Sequence, residues 1–385
     1  MTLTRRTFLQ TALAASAAAP VIASPPEIRI TGYGFLRLKF DEMLPLKRNS
    51  IITSGGQRAG MTQLEIYTDQ GIVGRSLPKA SNMIEELFHN VKGENPFYVE
   101  RIWDRMYRDN RKPVAKGDYI EAMGSVDIAV WDIIGKALGL PVYKVLGAHK
   151  DKLRVYAAGG YYRDDKSTAD LVAEMEGYVD EGFRAVKMKV GGAPMREDVE
   201  RVRAVREAIG PDIDLLLDAN NKWRAYEAIR FGRMVEKFDP FWFEEPVIAD
   251  DFQGCAEVKH ALDIPITAGE NEYTVWGARD LVEHGSADIL NLDTVKAGGI
   301  TEHRKISALA AAHHIPVAPH GSPHMASHLL ASTPNALIME TYPGVQSAFN
   351  PALPLYPVAD GYITMPQTPG IGIDPDPAMV RKYKV

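Results

Sequence analysis

From residue 154 to residue 340 the sequence keeps one rhythm. Short apolar runs recur eight times, at 154–158, 185–190, 214–218, 241–245, 264–269, 289–292, 315–319 and 336–340. Stretches with helical spacing lie between them, at 169–182, 196–209, 225–238, 277–283 and 301–313. A strand covered on both faces reads as a continuous apolar run, and two parallel neighbours need a long, usually helical, crossover between them. Eight such strands alternating with helices specify a parallel α/β sheet closed into a barrel, with an open doubly wound sheet as the competing architecture. No Gly-x-Gly-x-x-Gly follows any run, which argues against a dinucleotide-binding open sheet.

The preceding residues obey a different pattern. Residues 27–40 and 61–68 alternate like strands, through Ile28, Ile30, Phe35, Leu36 and Leu38, then Leu64, Ile66 and Tyr67. Asp69-Gln70-Gly71 supplies a turn into Ile72-Val73. From 83 to 138 the spacing is helical, and Val126, Ile128, Ala129, Val130, Ile133 and Ile134 mark a largely buried helix closed by Gly139 and Pro141. The expected organisation is therefore an α+β unit over 24–150 and a barrel over 151–350, with residues 351–385 packing back on the first unit. Residues 1–23 read as an address. Arg5-Arg6 precede Phe8-Leu9 and an uncharged, alanine-rich stretch at 13–23, in the order of a twin-arginine export signal, so a periplasmic location is expected. That stretch is too short for a confident membrane span, and no membrane partner is expected once it is removed.

The formal net charge is −6 and no basic run occurs, which argues against nucleic acid as a partner. Cys255 is the single cysteine, so no intrachain disulfide or cysteine-based zinc site can form, and a small buried residue is its expected role.

The chemistry gathers at the ends of the apolar runs. Leu215-Leu216-Leu217 ends in Asp218, Phe241-Trp242-Phe243 ends in Glu244, and Ile264-Pro265-Ile266 leads to Glu270, with each acid 26 positions after the one before. In a barrel the strand C-termini converge on one mouth, so three acids in register at consecutive ends can meet. Singly each acid is better explained by a helix cap or a salt bridge; jointly they form an all-oxygen ligand set suited to a hard cation, Mg²⁺ above all. One run earlier, Lys187 and Lys189 lie two apart and so face the same way. Mutual repulsion near a metal would disfavour ammonium at each, leaving a usable base. Asp293 and His320 end two later runs, and an aspartate bonded to one imidazole nitrogen fixes the tautomer of the other. Glu340 ends the last run and is a candidate hydrogen-bond partner for substrate oxygen. His324 and His328 follow at helical spacing, and packing explains them better than a zinc site. His313-His314 reads as a surface pair at a helix end.

These residues resemble the enolase superfamily, in its mandelate racemase-like branch. The resemblance rests on an ordered set: the segment from Ala122 through Val126-Asp127-Ile128-Ala129-Val130-Trp131-Asp132 to Pro141, Lys187-Met188-Lys189, Leu217-Asp218-Ala219-Asn220, Phe243-Glu244-Glu245-Pro246, Ala268-Gly269-Glu270-Asn271, Asp293 with Lys296-Ala297-Gly298-Gly299, His320 and Glu340. It implies an α+β capping domain over a (β/α)7β TIM-like barrel. It implies one Mg²⁺ held by Asp218, Glu244 and Glu270, with Lys189 as one acid/base and His320, paired with Asp293, as the other. Lys187 would lower the pKa of Lys189, and Glu340, protonated, would donate to the substrate carboxylate. Asn220 and Glu245 would support the site.

The implied reaction is removal of the proton beside a carboxylate to give an enediolate. Two opposed bases permit dehydration of an acid sugar, which leads, and racemisation or epimerisation of a 2-hydroxy acid, which follows. Cycloisomerisation ranks lower, since enzymes of that kind lack the His-Asp pair and use a lysine on the opposite strand, whereas Lys296 reads here as structural. An exported family member that binds a carboxylate without turnover is a non-enzymatic alternative, against which the intact Lys189 and His320–Asp293 set speaks. The partner is a small carboxylate and the expected assembly a homo-oligomer. The loop at 44–60, with Lys47, Arg48 and Arg58, is expected either to close over the mouth and offer cations to a distal group or to remain a solvated basic loop. Tyr161 and Tyr162, after the first barrel run, either line the pocket or pack beside it.

Overall fold

A computed structural model describes residues 27–109, 116–343, 351–354 and 356–385. The segment read as an export signal, 1–23, lies outside the described residues. Among the described residues no helix is long and apolar enough to cross a membrane.

The N-terminal unit is built on a three-stranded antiparallel sheet. Its strands are β1 (Ile30–Met43), β4 (Arg58–Thr68) and β5 (Val73–Ser76), paired in that order. Between β1 and β4 a short hairpin, β2 (Lys47–Arg48) with β3 (Thr53–Ser54), projects from the sheet. Leu36, Leu38 and Phe40 alternate inward along β1, as a half-buried strand requires. Helix α2 (Asp118–Leu138) covers the inner face, and α1 (Val99–Arg108) packs on α2. α2 is buried over 16 of its 21 residues, because it packs on the cap sheet on one side and on the barrel on the other. It stops where Gly139 adopts φ +67, a left-handed value that glycine tolerates at a helix end.

The barrel strands are β6 (Lys152–Ala158), β7 (Ala185–Lys189), β8 (Asp214–Asp218), β9 (Pro240–Glu244), β10 (Ile266–Ala268), β11 (Ile289–Leu290) and β12 (Met339–Thr341), all parallel to their neighbours, with β12 returning to β6. The run at 315–319 adds no full strand. Val317 alone bridges in parallel to Leu290 on one side and Ala336 on the other, which carries the ring round to β12. Pro316 and Pro319 flank it and have no N–H to extend the ladder. Helices α3 (Thr168–Asp180), α4 (Met195–Ile209), α5 (Ala225–Val235), α6 (Phe252–Ala261), α7 (Thr274–Glu283), α8 (Ile300–Ala312) and α9 (Pro323–Ser332) form the outer layer.

The C-terminal segment touches both units. β13 (Tyr362–Thr364) pairs antiparallel with β6 of the barrel. The chain then returns to the cap, where α10 (Pro377–Tyr383) packs on β1 and the Val385 amide donates to the Arg37 carbonyl.

Inside the ring, Tyr156, Ala158, Ala185, Leu216, Trp242, Ile289, Ala318 and Ile338 form a separate apolar layer. Burying a side chain such as Leu216 or Ile338 contributes roughly 1.5–3 kcal/mol. This layer is a packed floor, so the polar site above it stands on rigid support.

Candidate active site

Strand alternation decides what enters the mouth. Val186, Met188 and Val190 of the β7 segment belong to the core between sheet and helices, so Lys187 and Lys189 point inward. The same alternation holds round the ring. Leu217 packs outward and Asp218 inward; Phe243 outward and Glu244 inward; Leu292 outward and Asp293 inward; Met339 outward and Glu340 inward. All six inward groups are at most 6% exposed. Asp218 and Glu244 are register partners on β8 and β9, while Glu270 lies two residues beyond β10 and His320 three beyond the Val317 bridge. The acids thus end three consecutive strands. Lys189 precedes them round the ring, and Asp293 with His320 follows.

The charges interlock. Lys187 Nζ lies 3.0 Å from both Glu244 oxygens, 2.8 Å from Glu340 and 3.6 Å from Asp218. Lys189 bonds directly to Asp218. Burial opposes the charged form of both lysines, but the carboxylates outweigh it and hold both pKa values above the usual lysine value. The lowered pKa expected of Lys189 belongs to a site in which a cation holds Asp218; with Asp218 paired to the ammonium instead, the preference runs the other way. Repulsion from Lys187 does act on Lys189, but contact with Asp218 exceeds it. Glu340, expected to be protonated, is drawn the other way by its own ion pairs. Burial pushes its pKa up, but Lys187 and His320 pull it down to about 2, so in this arrangement it is a carboxylate.

Glu244 behaves oppositely. Burial, with Asp218, Glu270 and Glu340 close by, outweighs Lys187 and raises its pKa to about 8. The Glu245 carboxyl is raised well above its usual value by burial and by Glu270, Asp218 and Glu244. The cluster is therefore short of positive charge even with two lysines in it. Two further oxygens, Oδ1 of Asn220 and Oδ1 of Asn291, are buried with no hydrogen-bond donor among the described residues. Such an all-oxygen, charge-deficient set fits a hard divalent cation. Among the described residues no three acid or histidine side chains already stand in coordination geometry, since the lysine ammoniums lie between the carboxylates.

His320 donates from Nδ1 to Asp293 Oδ2 at 2.9 Å, and its Nε2 faces Glu270 at 3.6 Å and Glu340 at 3.7 Å. Burial disfavours the imidazolium, but these three carboxylates outweigh that and raise its pKa to about 9. Gly321, at φ +105, leaves the room this pair needs, because a Cβ there would meet Asp293 Oδ2 at 2.6 Å.

The backbone is strained at the same place. Asn220 and Glu245 both have φ +43, a left-handed value uncommon for glutamate. The Asn220 amide donates to Asp218 at 2.9 Å. Glu245 is held by Asn221 at 2.8 Å and Asn271 at 2.6 Å, and Lys296 donates to Asn271 at 2.9 Å, so Lys296 supports the site at one remove.

The 44–60 loop lies over the mouth. Arg48 and Tyr162 exchange backbone hydrogen bonds at 2.8 Å, and Ser50 Oγ donates to the Ala219 carbonyl at 2.5 Å. Lys47 Nζ sits 3.8 Å from the centre of the Tyr161 ring, whose face Lys189 also approaches at 5.2 Å. Tyr161 therefore lines the pocket. Tyr162 packs instead, with its hydroxyl donating to buried Asp198 at 2.6 Å. Arg58 is not brought to the mouth; it is exposed at the start of β4, opposite Met43. His324 and His328 are buried packing residues, bonded to the Pro354 and Ile371 carbonyls, and His313-His314 is exposed. Cys255 is buried, and burial pushes its thiol up to about 12.

Sequence reasoning missed Asn291 and Lys79. Asn291 donates to Glu244 at 3.1 Å, and its place two residues before Asp293 on an inward position could have marked it. Lys79 reaches Asp293 from the cap, 214 residues away, and nothing in its local sequence signals that.

Two family models match the chain: "Mandelate racemase / muconate lactonizing enzyme, N-terminal domain" over residues 42–147 and "Enolase C-terminal domain-like" over residues 170–379. The arabinonate dehydratase of Saccharolobus solfataricus is 38% identical over 229 residues, which are 60% of this chain and 61% of that enzyme, so the match spans less than two thirds of its length. The 3,6-anhydro-alpha-L-galactonate cycloisomerase of Streptomyces coelicolor is 36% identical over 281 residues, 73% of this chain and 77% of that enzyme. A racemase from Streptomyces coelicolor A3(2), solved with bound magnesium, superposes with TM-score 0.82 at 29% identity, covering 92% of this chain and all of the other.

Proposed function

Since this chain belongs to the mandelate racemase / muconate lactonizing enzyme family of the enolase superfamily, we propose that it removes the proton beside a substrate carboxylate and that the net reaction is dehydration of an acid sugar. The observation that carries this is the flanking of one buried acid cluster by Lys189 on one side and the His320–Asp293 pair on the other. A proton beside a carboxylate is very weakly acidic, because its loss puts a second negative charge on the same group. Asp218, Glu244 and Glu270 would hold Mg²⁺, and the ion would stabilise that added charge by several kcal/mol. A positioned base adds roughly 10²–10⁴-fold.

The chain's own groups would divide the rest. Asp293 keeps the proton of His320 on Nδ1, so Nε2 is the nitrogen that exchanges a proton with substrate. In dehydration one base takes the α-proton, the Cβ–O bond breaks, and His320 protonates the departing hydroxyl so that water leaves. The enol then tautomerises to a 2-keto-3-deoxy acid. Lys47, which has no carboxylate partner among the described residues, would meet the far end of the sugar acid beside Tyr161. The relatives named as a dehydratase and a cycloisomerase of sugar acids support the substrate class. Racemisation is the second reading, because two groups on opposite flanks could remove and return one proton.

The test is a panel of mono- and diacid sugars assayed in deuterated water, with Mg²⁺ and with chelator. A 2-keto-3-deoxy acid should form from at least one of them, stop with chelator and resume with Mg²⁺. Deuterium at the α-carbon without water loss would replace dehydration by racemisation. No exchange with any acid would leave a carboxylate binder, and turnover indifferent to metal removal would defeat the proposal.

A further inference from the structure

We propose that Lys79 of the capping domain is a positioning residue that sets the orientation of His320 through Asp293, making proton transfer depend on the docked cap. The inference rests on the reading of His320 as a proton-transfer group.

The Asp293 carboxylate is 2% exposed and saturated with donors. Its Oδ1 accepts the backbone amides of Val295 at 2.9 Å and Lys296 at 3.0 Å. Its Oδ2 accepts His320 Nδ1 at 2.9 Å and Lys79 Nζ at 2.7 Å. With two donors on each oxygen, the carboxylate cannot turn without breaking bonds to three different segments. The imidazole bonded to it through Nδ1 points its Nε2 toward Glu270 and Glu340.

Lys79 is itself anchored in the cap. Its amide donates to Ser125 Oγ at 3.1 Å and its carbonyl lies 3.3 Å from the same hydroxyl, on the fully buried face of α2. One lysine therefore spans from the cap helix to the acid behind the barrel histidine. The lysine side chain is 36% exposed and Asp293 2% exposed; without the ammonium the carboxylate still accepts from the Val295 and Lys296 amides and from His320, so it is not left as an unpaired buried charge. What the contact can supply is orientation, and small misplacements of a reacting group are costly to rate.

The test uses the full-length, Mg²⁺-loaded protein and compares Lys79→Met, Lys79→Arg and His320→Asn, singly and with Lys79→Met and His320→Asn combined. Lys79→Met should lower kcat by about 10- to 100-fold, leave KM and the melting temperature little changed, and be partly rescued by Lys79→Arg. On the His320→Asn background Lys79→Met should cost nothing further, because the two act as one unit. A raised KM with additive losses would make Lys79 a substrate-binding residue and overturn the proposal. So would wild-type kcat in Lys79→Met, or a fall in melting temperature that accounts for the lost activity. Unchanged turnover in His320→Asn would overturn both this inference and the mechanism beneath it.

Discussion

Replacing Lys189 with alanine lowers kcat for the full reaction by about 10²- to 10⁴-fold, and replacing His320 with asparagine does the same. The two variants are not equivalent in a partial reaction. Lys189 ends β7, and His320 follows the Val317 bridge, with the strands of Asp218, Glu244 and Glu270 between them round the ring. Each variant keeps the group on the opposite flank. In deuterated water with Mg²⁺, Lys189→Ala should still exchange the α-hydrogen of the epimer that presents it to His320, and His320→Asn should exchange that of the other epimer. Loss of exchange for both epimers in both variants would show that the groups do not serve separate faces. Full activity in both would remove them from the reaction.

Gly124→Ala destabilises the fold by roughly 1–3 kcal/mol, although alanine is the better helix former by roughly 1 kcal/mol. Packing decides the sign. Gly124 lies where α2 presses on the barrel, and a Cβ there would stand 2.1 Å from the Val295 carbonyl and 2.9 Å from the Gly299 amide. Both are backbone atoms of the turn after Asp293, so they cannot swing aside as a side chain could. Gly177 in α3 is the internal control. A Cβ there meets nothing within 4 Å, and Gly177→Ala should stabilise by roughly 0.5–1 kcal/mol. Urea unfolding of both variants checks the pair. Equal effects, or a harmless Gly124→Ala, would mean that the cap and barrel meet more loosely than described.

The barrel was legible because its strands are buried on both faces, so each left an apolar run with its functional residue at the end. The same regularity exposed Asp218, Glu244, Asp293 and Glu340, since inward and outward positions alternate. It failed at 315–319, where the apolar run was present but two prolines left Val317 only single-residue bridges. Protonation was less legible than position. The sequence places Lys187 beside Lys189, but not Asp218 in contact with the Lys189 ammonium, nor Lys187 against Glu340, and it is these pairings that set the charge preferences of Lys189 and Glu340 while the acids hold lysines rather than a cation. Contacts across the two units were invisible. The partners of Lys79 and Ser50 depend on how the cap docks, which no local spacing encodes.

The central claim is that Asp218, Glu244 and Glu270 share one divalent cation. Crystals of the protein grown with Mg²⁺ test it most directly. One ion should appear with an oxygen of each of these three residues at about 2.0–2.1 Å, Lys189 displaced from Asp218, and His320 still on Asp293. An ion bound elsewhere in the barrel mouth, or one that leaves any of the three acids unliganded, would contradict it.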